Sequence, residues 1–428
     1  MQQLTIVGAG WAGLSAAVAA TQAGWQVQLH EAAHHAGGRA RSVPVRHGIT
    51  GLDNGQHILI GAYHNTLALM RNVDVDVDNA FHRIPLDLRG PQGHGLHLPD
   101  WPPPWNVLAS IATARGWAGS DKLSLLKACV RWKLAGFRCP IEWTVAQLCE
   151  ASQLSPRIRS ELIDPLCLSA LNTHPFRACA NMFLRVLHDA LFTGRSASDM
   201  LLPRLDLNAL LVAPCLAWLK QHGAIVHLGS RLDEAALVQR TNPVLLACAA
   251  WDAAKLTTTY APAWSKQADE LIHEPIATVY LRAAQLPSHL RPIIALPHAQ
   301  DAPESTPAQF VFNRQNLLGQ AGLLAAVVSS YEGDDTQTLG RRVCEQVQNA
   351  LSLDRLQLVQ TIVEKRATLR LSPKLQRPTA HIAGNWWACG DYVAGPYPST
   401  LEGAVRCGQN VVAELTQSQS HLNHPSHV

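Results

Sequence analysis

The chain opens on Thr5-Ile6-Val7 running into Gly8-Ala9-Gly10-Trp11-Ala12-Gly13, then an alanine-rich stretch without a breaker, then an apolar run from Trp25 to His30 that ends in Glu31. No other stretch restricts the fold as much. A strand that enters glycines spaced this way and leaves as a helix needs Gly8 for the tight turn. Gly10 gives room beside the backbone, and Gly13 lets the helix pack closely on the strand. Together they predict a β-α-β unit whose helix N-terminus faces a pyrophosphate. Glu31, about twenty residues past the glycines, can accept both hydroxyls of a ribose and would repel a 2′-phosphate. It is the order of these parts, more than the glycines alone, that makes an adenine-dinucleotide site. Gly37-Gly38-Arg39-Ala40-Arg41 follows directly and suits a second loop over the pyrophosphate, with Arg39 as counter-charge. A flexible basic turn is the plainer reading of that segment.

At 428 residues, 47% of them hydrophobic, the chain can build two cores, sequential or interleaved. A net charge of +3 without a long basic run makes nucleic acid an unlooked-for partner. Its ten cysteines are scattered, with no CxxC pair and no Cys/His metal spacing, which reads as reduced thiols, a cytoplasmic setting and no metal. No apolar run reaches the roughly eighteen residues of a membrane span, and a strand begins where a basic export signal would lie. Residues 416–428, rich in Ser, Gln, His and Asn, read as a disordered tail.

Ile49 to Leu59 reads as a strand-like stretch that carries Asp53-Asn54-Gly55-Gln56-His57. Polar groups so dense in an apolar frame suggest a cavity wall, and a polar turn at Asn54-Gly55 is the plainer alternative. Residues 80–104 predict an irregular excursion, whereas 105–200 carry helical periodicity. Asn208 to His222 predicts a helix stopped by Gly223, with Pro214 as an alternative start, and Ala224 to Leu228 a strand. Pro243 to Cys248 predicts a buried strand that rejoins the first sheet. Ile276 to Leu281 and Leu323 to Ser330 read as strands and Thr336 to Leu351 as a helix, so a second sheet is inserted there. The expected fold class is α/β. A discontinuous Rossmann-like domain (1–70, 205–260, 380–415) is interleaved with an α+β substrate domain (71–204, 261–379).

The return to the first domain is the second informative site: Trp386-Trp387-Ala388-Cys389-Gly390-Asp391, a loop, then Ser399-Thr400-Leu401-Glu402-Gly403-Ala404 opening a helix. Ser399 and Glu402 have capping-box spacing, which by itself accounts for the glutamate. That helix start would also stabilise an anionic ring oxygen. Gly390-Asp391 puts a carboxylate at a strand end, within reach of a sugar-alcohol hydroxyl.

These two widely separated motifs, GxGxxG with GGR and GD with an EGA helix, resemble the FAD-containing amine oxidase and phytoene desaturase superfamily. Within it, Asp53 to His57, Pro165 to Thr173, Leu202 to Leu207 and Gly390 to Ala404 most resemble the hydroxysqualene dehydroxylases. That resemblance implies non-covalent FAD, with Gly8, Gly10, Gly13, Glu31, Gly38 and Arg39 on the ADP half. It puts Gly390 and Asp391 at the ribitol, the helix start at Glu402 against the pyrimidine edge of the flavin, and Leu232 near adenine. It also implies a long isoprenoid substrate whose allylic hydroxyl is replaced by hydride from reduced flavin, with His57 or Asp53 as acid or polariser. Asp164, His174 and Asp189 are further candidates, and the electron donor stays open. A phytoene-type desaturase is the nearest rival. An amine oxidase fits less well, because Thr400 stands where an aromatic residue would flank the amine.

Between Trp101 and Arg138 lie four tryptophans (101, 105, 117, 132) and six basic residues against one acid, Asp121, while Leu123, Leu126, Val130 and Leu134 recur at near-helical spacing. A basic amphipathic helix with interfacial tryptophans is the pattern of a segment lying in lipid headgroups. The expectation is peripheral association with the inner face of the cell membrane. An ordinary surface helix with Trp132 packed inward is the alternative.

Overall fold

The computed structural model describes residues 2–44, 49–297, 305–333 and 335–423. Its first sheet has six strands in the order His381–Ala383, Trp386–Ala388, Val244–Leu246, Gln3–Val7, Gln26–Glu31, Ile225–Leu228. The last five run parallel and the first is antiparallel to its neighbour. The central strands bury both faces, which explains why Val244-Leu245-Leu246 is apolar throughout. Val7 lies level with His30 on one side and Leu246 on the other, so three strands end together beneath the glycine turn. Trp11–Gln22 follows that turn as a helix buried along most of its length.

The inserted sheet has five antiparallel strands, in the order Leu356–Leu369, His273–Ala283, Leu323–Ser329, Phe310–Asn313, Ile293–Ala295. Alternation along His273–Ala283 sends Ala277, Val279 and Leu281 to the helix Thr336–Leu351. Tyr280 goes to the opposite face with Phe310, Phe312 and Ile362, toward residues 49–52. A small sheet, Leu59–Ile60, Met200–Pro203 and Phe81–Ile84, ties the inserted part to the first. A helical cap includes Trp105–Thr113, Gly119–Leu134, Asp164–Leu171 and Ala180–Leu191.

Three expectations need correction. Ile49 to Leu59 is not one strand: Asp53 makes only an isolated bridge to Ser42, and Leu59 alone enters a sheet, while the Asp53 and Asn54 side chains bond backbone of other segments. The helix before Gly223 starts with a five-residue π turn, Asn208–Val212, before Ala213–Gln221; Pro214, which has no N–H to give, sits at this junction. Residues 416–423 are helical, not a disordered tail, because Leu401–Asn423 is continuous and Trp25 Nε1 donates to Thr416 Oγ1 at 3.0 Å. Residues 424–428 of that expected tail lie outside the described residues.

Candidate functional site

The three fingerprint glycines are glycine for different reasons. Gly8 has φ +110°, and a Cβ there would stand 2.8 Å from the Ala247 backbone. A Cβ on Gly13 would meet Gly8 O at 1.9 Å. Gly10 is extended, and its nearest obstacle is Gly38 Cα at 3.9 Å, so nothing in the chain itself demands a glycine there. The helix that starts at Gly10 has no side-chain cap and no acid in its first turn, which leaves its first N–H groups and positive dipole end facing that free space. An anion that brings its own oxygens fits this cradle. Gly37 N donates to Ala9 O at 2.8 Å, which lays the second glycine loop beside the first.

Glu31 Oε2 accepts from Ala9 N at 2.8 Å and Oε1 from Ala33 N at 2.9 Å, so its carboxylate is fixed beside the glycine turn. Ser230 N returns to Glu31 O and Gly229 N to Ala33 O, which brings the loop bearing half-buried Leu232 to the same strand end. Behind it His30 stacks on His227 at 4.6 Å and shares a hydrogen bond with Ser230 Oγ. Burial first, then His227 and Arg240, lower His30 to about 4 and keep it neutral.

Arg39 and Asp391 were expected on the pyrophosphate and the ribitol, and the structure pairs them with each other. Arg39 also donates to Ala367 O, which ties the cleft to the inserted sheet. His273, at the start of the neighbouring strand, lies close enough that Arg39 adds to the burial that lowers it to about 4. Gly390 precedes Asp391, whose carbonyl accepts from Ser399 N. The Ser399–Glu402 capping box is absent. Ser399 has φ +58° and accepts from Leu369 N, while Thr400 Oγ1 caps the helix by accepting from Gly403 N at 2.9 Å. Glu402 is buried and turned onto another helix, His64–Asn72, accepting from Asn65 N, Thr66 N and Thr66 Oγ1 at 2.7 to 3.0 Å.

The loop from Asp53 to His57 is held from several sides. Asp53 Oδ1 accepts from Leu207 N and Ser42 Oγ, and Tyr280 Oη donates to its carbonyl. Burial raises this carboxyl to about 6, against the pull of the Leu207 N–H and of Arg314. Arg314 is fully buried. It donates to Gln56 Oε1 and Gly51 O and lies over the Tyr280 ring. Asp53 is thus an anchor of the loop. His57 remains half-buried, with Nδ1 bonded to Gly55 O at 2.8 Å, and burial lowers its pKa. Asn54 reaches Glu364 on the inserted sheet. Arg314, Tyr280, His273 and Glu364 gave no sequence signal, since each is a lone residue far along the chain. Of the other candidates, Asp189 is paired with Arg185 and His188, and His174 stacks on Phe176, so neither faces the loop as a free group.

Within the cap, an apolar cavity encloses about 600 Å³ not filled by atoms, part of it open to solvent. Its one polar lining residue is Ser110, whose Oγ is buried without a partner. Of the four tryptophans in this region, Trp117 and Trp132 point inward and bond Glu161 and Ser152, while Trp101 and Trp105 are 54% and 62% exposed.

With a glycine-lined cradle at a parallel sheet, joined to a second sheet and a cap, this chain has the build of a two-part nucleotide-binding enzyme, and it belongs to the flavin containing amine oxidoreductase family, whose family model matches residues 11–255. It is an FAD-dependent oxidoreductase. Among individual proteins it is similar to the hydroxysqualene dehydroxylase of Zymomonas mobilis, 28% identical over 97% of this chain and 99% of that one. It is likewise similar to that of Sinorhizobium fredii, 26% identical over 97% and 98%. In fold it matches cyclohexylamine oxidase from Brevibacterium oxydans with a TM-score of 0.68 at 14% identity, over 98% and 99% of the two chains.

Proposed function

We propose that the protein removes the allylic hydroxyl of hydroxysqualene to leave squalene. The observation that carries this reading is the end-to-end match with two proteins of that activity, with no unmatched domain on either side. The cap cavity, apolar apart from Ser110, supports a hydrocarbon substrate over an amine, as does Thr400 in place of an aromatic residue.

FAD is assigned to the discontinuous unit 1–70, 205–260 and 380–415, and the substrate to 71–204 and 261–379. Gly8, Gly10, Gly13 and Gly38 make the pyrophosphate cradle, Glu31 takes the ribose, and Leu232 lies by adenine. Arg39, Gly390 and Asp391 serve the ribitol-phosphate stretch. Glu402 supports the flavin only indirectly, by fixing the helix start.

Bound and reduced, the flavin supplies a hydride equivalent to the carbon that loses water. The chain's own residues have to exclude water, hold the alcohol and deliver a proton to its oxygen, the last contributing typically 10²- to 10⁴-fold. His57 is assigned to that oxygen. Its Nδ1–H is committed to Gly55 O, so Nε2 meets the alcohol, and only the imidazolium form can donate there. Because burial lowers His57, activity should rise as pH falls below 6.5, and His57→Gln should remove that limb while flavin stays bound. Anaerobic incubation of the reduced protein with hydroxysqualene, read by product mass and flavin reoxidation, tests the reaction. Absence of squalene would sink it.

Such a substrate resides in a bilayer, and among the described residues no helix is long and apolar enough to cross one. Peripheral docking is assigned to the cap, where Trp101, Trp105, Leu123, Val130 and Leu134 are exposed beside Lys127, Arg131 and Lys133. Each basic charge near an anionic surface adds roughly 1 kcal/mol, enough in sum for reversible binding. Vesicles with anionic lipid should sediment the protein at low salt, and Lys127→Glu with Arg131→Glu and Lys133→Glu should abolish this. Unchanged sedimentation rules this face out.

A further inference from the structure

We propose that the cap cavity is a second substrate-binding site, separate from the flavin cleft, that holds one prenyl arm of the isoprenoid and receives it from lipid past the Phe137–Phe192 pair. The proposal rests on the reading of the substrate given above.

The cavity is lined almost wholly by aliphatic and aromatic side chains. Buried water needs two to four polar partners, and with Trp132 Nε1 already bonded to Ser152 the lining offers the Ser110 hydroxyl and the weakly polar Cys129 thiol, so an apolar occupant is favoured. The roof points the same way. The helix Trp105–Thr113 turns Val107 and Ile111 inward, yet leaves Trp105 and Leu108 exposed. The helix Gly119–Leu134 buries Leu125 and Trp132, yet leaves Leu123, Val130 and Leu134 exposed, Leu134 by 83%. A surface helix in water pairs an apolar stripe with a polar outer face. These helices carry exposed apolar side chains among the outer lysines and arginine as well as on the cavity side, so they separate the cavity from the lipid.

Cys129, Phe137, Leu191 and Phe192 are half-buried, and they gather at the end of Gly119–Leu134. Leu86, Leu88 and Leu166 of the lining are half-buried too, and the mouth is assigned instead to the first group, beside exposed Leu134. Phe137 follows Gly136 in the left-handed region, with φ +55°, a conformation that bulky residues rarely adopt. It stands 5.0 Å from Phe192, ring centre to ring centre. Exposed Leu134, Lys133 and Arg138 lie just outside in sequence, so a chain leaving a headgroup region meets charge, then aliphatic surface, then the two rings. On the inner side, Leu86 and Leu88 line the cavity and also pack against the core of Tyr280 and Leu52, which backs the loop of His57. One arm in the cap thus leaves the middle of a long chain beside that loop.

The test uses the flavin-loaded full chain. Ser110→Leu fills the cavity from its roof. It should lower kcat/KM for hydroxysqualene roughly 10- to 100-fold. Turnover of an allylic alcohol truncated to a single prenyl arm, and the flavin spectrum, should not change. Equal losses on both alcohols, or no loss on either, would overturn the proposal. A second measurement does not depend on turnover: a diazirine-bearing polyprenyl chain offered on anionic vesicles should cross-link within residues 105–137 and 183–192, and Ser110→Leu should suppress that labelling. Labels found only elsewhere overturn the cavity assignment. A wild type labelled in the cap that converts neither alcohol would instead sink the reaction and leave the cavity standing.

Discussion

The two helices that meet beside the glycine turn begin in opposite ways. Trp11–Gln22 starts on bare glycine, with no side chain on its terminal donors and no acid in its first turn. Leu401–Asn423 starts with Thr400 on Gly403 N and carries Glu402 in its first turn. They pack directly, Ser15 Oγ donating to Val405 O, and a Cβ on Gly408 would meet Ala12 O at 2.4 Å. An unfinished helix end costs stability in the empty protein, so it persists where a ligand anion completes it. The finished end has been spent on architecture, and its carboxylate serves a third helix.

That contrast can be broken at several points. Gly13→Ala should destabilise by on the order of 4 kcal/mol, since its Cβ collides with backbone, and chemical denaturation would read this. Gly10→Val at the same helix end should keep a near-normal melting curve and lose the yellow colour. Stoichiometric flavin in that variant would end the distinction between the two glycines. Asp53 is a third completed group. Its carboxyl titrates near 6 when folded and near 3.8 when unfolded, so the folded chain holds the extra proton between these values. Stability from this source is full below pH 3.8 and is lost as pH rises through 6, about 3 kcal/mol in all. Asp53→Asn should flatten that slope in denaturation curves taken across the window. Glu402→Ala leaves two buried donors and one half-buried donor unmet and should cost about 2 to 3 kcal/mol, with flavin stoichiometry unchanged in the folded fraction. Thr400→Ala, the smallest change, should cost about 1 kcal/mol.

Legibility followed the range of the interactions. The glycine unit, the strand Leu323–Ser329 and the helix Thr336–Leu351 were readable because neighbouring residues decide backbone conformation and alternation. Glu402 was misread because its spacing from Ser399 is local, whereas its partners at 65 and 66 are reached only through the packed fold. Asp53 stood out as polar, yet Leu207, Tyr280 and Arg314, which give it its role, lie more than 150 residues away. The tryptophan window showed period without phase. Which of the four rings turned inward was set by Glu161 and Ser152, on segments it packs against.

The clasp of Glu402 on the start of His64–Asn72 also orders events during synthesis. Residues 64–72 leave the ribosome more than three hundred residues before their cap exists, and Trp386–Ala388, the sheet neighbour of Val244–Leu246, is nearly as late. The first sheet is therefore begun before the inserted sheet and completed after it. Until Trp386–Ala388 and His381–Ala383 are made, the first sheet has four of its six strands and Val244–Leu246 is left as an open edge.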